Sequence, residues 1–372
     1  MSNKFGYFFK KCAKTKITSL TIVFRHSASA ELDGEHGISH LCEHLICKSF
    51  DDLTDKFTNE CITWDAYTNN NMIVFTFQGL ESKLTSDLKC ELVKRITSAS
   101  SVVTAENLEK EKQIVIQEII TGYDDPYMGH LYNLWSNHFG FIEAGGIPDE
   151  VKNVTLKQVK EYMKAHYTQP ARIVETGKTK TEFKKVTYNM VPPATPKFKF
   201  NKKYKTDICP VPVTENVYMY VMSKKLVKKT DIPVLALALD VMFSDLHSPF
   251  YQELREKRGL CYYVGASINT IGYQGILTSV VVTSKENIDE VQKIYKDVVK
   301  NVRKHFTEER FNMMVNQTLI GRELRDNMPT KNKGELIAYD MPMLPKNLET
   351  ITYQKALGIL EQYFYHLEYF IK

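Results

Sequence analysis

The sequence predicts an α+β protein of two homologous domains, each a largely antiparallel sheet with helices packed on it. Three observations lead there. VTLKQVKEYMKAHY (154–167) is similar to ITYQKALGILEQYF (351–364), at an offset of 197 residues. TAENLEKEKQIVIQEI (104–119) is similar to TEERFNMMVNQTLIGREL (307–324), at an offset of 203. Between the copies lies VTYNMVPPATPKFKFNKKYKTD (186–207), whose prolines and lysines read as a connector. Two matches in the same order at nearly the same offset point to duplication.

The elements follow in order. SLTIVFRH (19–26), ITWDAYT (62–68) and MIVFTFQ (72–78) carry the β-branched and aromatic residues of strands. Helical patterns occupy 82–98 and 126–139, followed by the helix of 154–167 and a strand at ARIVETG (171–177). The second half repeats the plan, with strands at NVYMYVMS (216–223), CYYVGASI (261–268) and GILTSVVVT (275–283) and helices at 231–245 and 285–305. It closes on LEYFIK (367–372). Each Thr-led helix opens with a side chain suited to an N-cap. Strands early and helices later in each half give domains of residues 1–190 and 208–372, joined by a linker at 191–207.

Composition narrows the function classes. The 372 residues suffice for two cores, and 43% apolar with 25% charged is an ordinary globular balance. The net charge of +5 comes from 49 basic and 44 acidic residues, spread along the chain, so no nucleic-acid partner is expected. Seven cysteines without a C-x-x-C pair argue against a disulfide framework, and for a cytoplasmic or other reducing intracellular compartment. No stretch approaches a membrane span, and MSNKFGYFFKKCAKTK lacks the apolar run of a signal peptide.

The chemistry begins at HLCEH (40–44). Residues four apart share a helix face, so His40 and His44 can aim ring nitrogens at one point. Paired neutral imidazoles suit Zn²⁺, and Glu43 lies where a general base would reach a water. H-x-x-E-H is the inverzincin order. By itself the motif equally fits a polar helix face, and it lacks a third ligand. EKEKQIVIQEI (109–119) offers one: Glu111 and Glu118 stand seven apart, two helical turns, around an apolar IVI. Glu118 is the expected third ligand, completing one zinc ion per chain with an open fourth position. Glu111 is expected behind the ligands, orienting a histidine or the water, with a solvated glutamate as the alternative. Aligning Thr104 with Thr307 sets Met314 opposite Glu111 and Gly321 opposite Glu118, so the second copy lacks the set.

These stretches together resemble the pitrilysin-type zinc peptidases, nearest to the two-domain members of processing-peptidase type. SASAELDGEHGISHLCEHLICKSF (27–50) resembles the region around that family's zinc motif, and EKEKQIVIQEI its distal glutamates. GIPDEVKNVTLKQVKEYMKAHYTQPARIVETG (146–177) resembles the end of its first domain, and SPFYQELREKRGLCYYVGAS (248–267) a signature of its second. The resemblance implies that Arg255 and Tyr262 act at the active site, with Tyr262 donating to the oxyanion and Arg255 holding substrate or that tyrosine. It implies a clamshell chamber of which one chain forms half, completed by a homodimer or by a heterodimer with a related subunit. It also implies that the strand holding Ala66, Tyr67 and Thr68 pairs with an extended peptide. The activity so implied is zinc-dependent endopeptidase. A noncatalytic peptide-binding or scaffold subunit of the same fold is the alternative, although such relatives lose ligands that this chain keeps. The sequence departs from the family at Asp65, where Asn is common, and in its somewhat short domains.

Overall fold

The structure, a computed structural model, describes residues 6–12, 15–183, 186–189, 207–327 and 348–372. The linker expected at 191–207 lies outside the described residues except for Asp207. Two mixed sheet-and-helix units are present.

The first sheet contains β1 (Gly6–Lys11), β2 (Ile17–Phe24), β3 (Thr63–Thr68), β4 (Ile73–Leu80) and β5 (Arg172–Gly177), in the order β1-β5-β2-β4-β3. β1 lies parallel to β5; the remaining pairs are antiparallel. Central β2 is buried on both faces. One face carries Leu20 and Ile22; the other carries Ser19, Thr21 and Val23. Two of its buried hydroxyls find partners: the Thr18 hydroxyl donates to the Thr176 carbonyl at 2.7 Å, and the Ser19 and Thr176 hydroxyls lie 2.7 Å apart. Around this sheet run α1 (Ile38–Cys47), α2 (Ser86–Thr97) and α3 (Ala105–Asp124).

α4 (Pro126–Phe139) starts at an Asp125 cap, with the Tyr127 amide donating to its carboxylate at 2.9 Å. The first unit resumes at Ile142 and includes α5 (Leu156–His166), opened by a Thr155–Gln158 capping box.

The second sheet comprises β6 (Asn216–Ser223), the short β7 (Val227–Lys228), β8 (Cys261–Ile271), β9 (Gln274–Ser284) and β10 (Leu367–Ile371). Its main path is β10-β6-β9, with β7 and β8 also pairing with β9, all antiparallel. α6 (Ile232–Phe243), α7 (Ile288–Lys300), α8 (Glu308–Asn327) and α9 (Tyr353–Phe364) accompany it. Met219, Val221, Leu277 and Val281 point into a core shared with residues of these helices. Tyr218, Tyr220, Val280 and Val282, of opposite parity, point to the other face.

That second face takes in a helix from the first half of the sequence. α4, read from sequence as part of residues 1–190, packs Leu131, Leu134, Trp135 and Phe139 onto Tyr218, Tyr220, Val280 and Val282. Contacts accordingly group Tyr123–Phe141 with the second unit. The apolar stripe of α4 matches a sheet face that comes later in the chain, and burial of that stripe overrides sequence order.

The repeat recurs as topology. β5-β2-β4-β3 in the first sheet and β10-β6-β9-β8 in the second have the same neighbours and the same antiparallel sense. β1 and β7 fall outside the shared pattern. The helical stretch expected at 285–305 is divided at Asn301, where α7 ends and a separate turn, Val302–His305, begins.

Candidate metal centre

α1 is positioned from its N-terminus. Glu31, six residues before the helix cap, accepts from the amides of Gly37 at 2.9 Å and Ser39 at 2.8 Å. These are donors that a helix start leaves without partners. Gly37, the cap itself, has φ +102°, and a Cβ there would come within 2.6 Å of Val151 Cγ2 and 2.8 Å of the Gly145 carbonyl. Only a glycine allows this turn to approach the 145–151 segment so closely. Leu41, Cys42, Leu45 and Ile46 then bury one side of α1 completely, leaving His40 and His44 on the other side, each side chain 17% exposed.

α3 supplies the facing carboxylates. Leu108, Glu111, Val115 and Ile119 form one buried stripe at helical spacing. Glu111, expected behind the ligands, is 3% exposed and faces His44, whereas Glu118 is at the rim and 50% exposed.

The donor atoms converge. His40 Nε2 lies 3.4 Å and His44 Nε2 3.3 Å from the same Glu118 oxygen, Oε2. Ligand atoms from all three residues lie within 4.8 Å of one another. Charge-assisted N–H···O bonds are shorter, about 2.7–2.9 Å. Ligands about 2.0–2.1 Å from a tetrahedral zinc ion would stand roughly 3.3–3.4 Å apart, as each imidazole nitrogen does from the Glu118 oxygen. The donor set and its spacing therefore fit zinc. His44 Nδ1 faces Glu111 Oε2 at 3.1 Å, so its other nitrogen is turned to Glu118. His40 Nδ1 is buried with no hydrogen-bond partner among the described residues.

Electrostatics follow from burial and charge. Burial would lower the His40 pKa, but Glu118, Glu43 and Glu143 together raise it. The adjacent His40 ring holds the Glu118 carboxyl below its usual range, against a smaller opposing effect of burial and with help from His44. Burial raises Glu43, and the two histidines offset only part of that effect. A carboxylate raised in this way is a stronger base than a solvated one. Glu43 also has two weak donors: Cys47 Sγ at 3.7 Å from Oε1 and the Thr68 hydroxyl at 3.5 Å from Oε2.

Ala66, Tyr67 and Thr68 lie on β3, opposite Phe75, Val74 and Ile73 of β4. β3 ends the sheet order among the described residues. Thr68 thus touches both the edge strand and Glu43, a link that spacing does not disclose.

Arg255 and Tyr262 belong to the second unit. Arg255 sits on a π-helical turn, Gln252–Glu256, where sequence alone reads an exposed helix end. Its Cζ is 5.0 Å from the Tyr251 ring centre and 5.8 Å from that of Tyr262. The register of β8 against β9 shifts between Cys261 and Tyr263, and Tyr262 at that irregularity is 78% exposed. Bulges turn a side chain out in this manner.

Comparisons with known proteins agree on the fold. Residues 153–318 match the family model described as the peptidase M16 inactive domain. A protease from Helicobacter pylori superposes with a TM-score of 0.77 at 13% identity, over 98% of this chain and 96% of that one. A peptidase M16 inactive domain from Pseudomonas fluorescens gives 0.73 at 15% identity, over 98% and 94%. A chain of Complex III2 from Candida albicans gives 0.69 at 11%, over 98% and 93%. A comparison with curated proteins gave no match. The mixed α+β fold is therefore that of M16 peptidase structures. The matched stretch, named for an inactive domain, begins after His40, His44, Glu111 and Glu118.

Proposed function

We propose that the protein is a zinc-dependent endopeptidase that hydrolyses peptides or unfolded segments. The observation that carries this reading is the convergence of His40 Nε2 and His44 Nε2 on one Glu118 oxygen, at 3.4 and 3.3 Å, with Glu43 beside them. Zinc in such a site supplies positive charge that makes water acidic near neutral pH. Glu43 takes the proton of the attacking water and returns it to the leaving amine. Thr68 and Cys47 hold the Glu43 carboxylate in place. The outer edge of β3, at Ala66, Tyr67 and Thr68, receives an extended peptide as an added strand. Tyr262 donates to the oxygen of the scissile carbonyl, and Arg255 orients Tyr262. Both come from the partner in a homodimer whose two chains enclose a chamber. A reducing compartment fits a sequence with an odd number of cysteines and no C-x-x-C pair.

Glu43→Gln is expected to keep zinc and lose peptide cleavage, whereas His40→Ala loses the metal, read by elemental analysis and by cutting of a mixed peptide library. Normal cleavage by Glu43→Gln would sink the mechanism.

The second reading is a noncatalytic peptide-binding or scaffold subunit. The name of the matched domain favours it, and the fold also occurs in a chain of Complex III2, so fold alone does not imply catalysis. Zinc content and one cleavage assay separate the two readings.

A further inference from the structure

We infer that Lys48 is a positioning residue for the metal site, holding Glu111 against His44; the inference rests on the zinc-site reading above. Lys48 follows α1 immediately and continues its four-residue spacing, so His40, His44 and Lys48 succeed one another along one face. The facing helix carries Glu118 and Glu111 two turns apart. The two series interlock. His40 and His44 meet Glu118, His44 meets Glu111 at 3.1 Å, and Lys48 Nζ meets the other Glu111 oxygen at 3.2 Å. Glu111 is therefore a bridge with one oxygen on an imidazole and the other on an ammonium group.

Its burial gives that bridge a consequence. At 3% exposure, Glu111 has little water to balance its charge. An imidazole serving as a metal ligand is neutral and supplies none. The ammonium group of Lys48 does, and at 27% exposure it is tethered by Asp51 at 3.3 Å. With one Glu111 oxygen anchored, the other is held towards His44 Nδ1. His44 Nε2 is then directed at the Glu118 oxygen. Loss of the anchor lets the carboxylate turn and releases the ring. Outer partners of metal-bound histidines typically contribute about 10–100-fold to affinity.

The test measures zinc dissociation constants of the full chain by competition with a fluorescent chelator, with the visible spectrum of the cobalt-loaded protein as a second readout and circular dichroism as a check on folding. Lys48→Met is expected to weaken zinc binding about 10–100-fold. Lys48→Arg, which keeps the charge, is expected to restore most of it. Glu111→Gln keeps an acceptor for His44 and needs no counter-ion, so adding Lys48→Met to it should cost nothing further. Wild-type affinity in Lys48→Met, or losses that multiply in the double variant, would overturn the inference. A wild-type chain that takes up no zinc removes the site and this inference together. Variants that follow the expected zinc pattern while the wild type cuts no peptide uphold Lys48 and remove the peptidase reading alone.

Discussion

Gly37→Ala tests whether the start of α1 is set by close backbone approach. At φ +102° an alanine pays the left-handed penalty, about 1–2 kcal/mol. Its Cβ also meets Val151 Cγ2 at 2.6 Å, the Gly145 carbonyl at 2.8 Å and Gly146 Cα at 3.2 Å. Two of these three are backbone atoms and cannot rotate away, so the segments must separate, at a cost of about 1–3 kcal/mol for overpacking. The expected loss is about 2–5 kcal/mol in urea unfolding. Gly34→Ala is the control: φ is +89° but no atom lies within 4 Å, leaving only the conformational penalty of about 1–2 kcal/mol. The site amplifies the difference. His40 lies three residues past Gly37, and metal–ligand distances tolerate only about 0.2 Å. Zinc affinity is expected to fall at least about tenfold in Gly37→Ala and to stay unchanged in Gly34→Ala. Equal stability and equal zinc binding in the two variants would refute the argument.

Two further outcomes follow from other parts of the molecule. Lys89 donates at 2.7 Å to Glu175, and the two side chains are 3% and 0% exposed, so Lys89→Met should cost about 3–5 kcal/mol near neutral pH. Burial would raise Glu175, but Lys89, Tyr7 and Thr181 outweigh it and lower its pKa. Its contribution is thus present above the unfolded carboxylate pKa and lost as pH falls through the folded one. The gap between variant and wild type should therefore narrow in acid, and a gap independent of pH would contradict this. Tyr262→Phe is expected to lower kcat about 10²-fold with zinc content unchanged. Mixing it with His40→Ala should restore part of the activity if the site is shared between chains, and no rescue in a verified mixed dimer speaks against sharing.

What sequence discloses about this molecule depends on range. His40 and His44 are legible because helix periodicity is local, and Glu118 because seven residues make two turns on a recognisably amphipathic segment. The strands are legible where β-branched residues cluster, as in β2 and β9. β1 is not: GYFFKK is short, half-exposed and pairs in parallel with β5, more than 160 residues away in the chain. The allegiance of α4 is hidden for the same reason, since a stripe of Leu131, Leu134 and Trp135 announces burial without naming the surface that provides it. Lys48 was within reach, because it repeats the spacing that links His44 to His40. Glu31 and Thr68 were not, since their roles at Gly37, Ser39 and Glu43 depend on turns whose geometry no spacing encodes.

The duplicated plan also explains how a domain named as inactive can belong to a chain with a complete donor set. Four strands of each sheet repeat in the same order, so both copies need helices with an apolar stripe. In α3 that stripe is interrupted by Glu111, a buried carboxylate, with Glu118 at its rim. In α8 the position matching Glu111 is Met314, 6% exposed and part of the apolar core, and the position matching Glu118 is Gly321. Met314 fills its site with no need of a partner, whereas Glu111 requires one and has Lys48 and His44. A chain kept only for its fold would gain stability by making the first copy like the second, because replacing buried ionic groups with packed apolar residues is often neutral or stabilising. The first copy instead retains three carboxylates, Glu43, Glu111 and Glu118, around two imidazoles. Under the proposed zinc reading, a cation held by His40, His44 and Glu118 would give that arrangement its use.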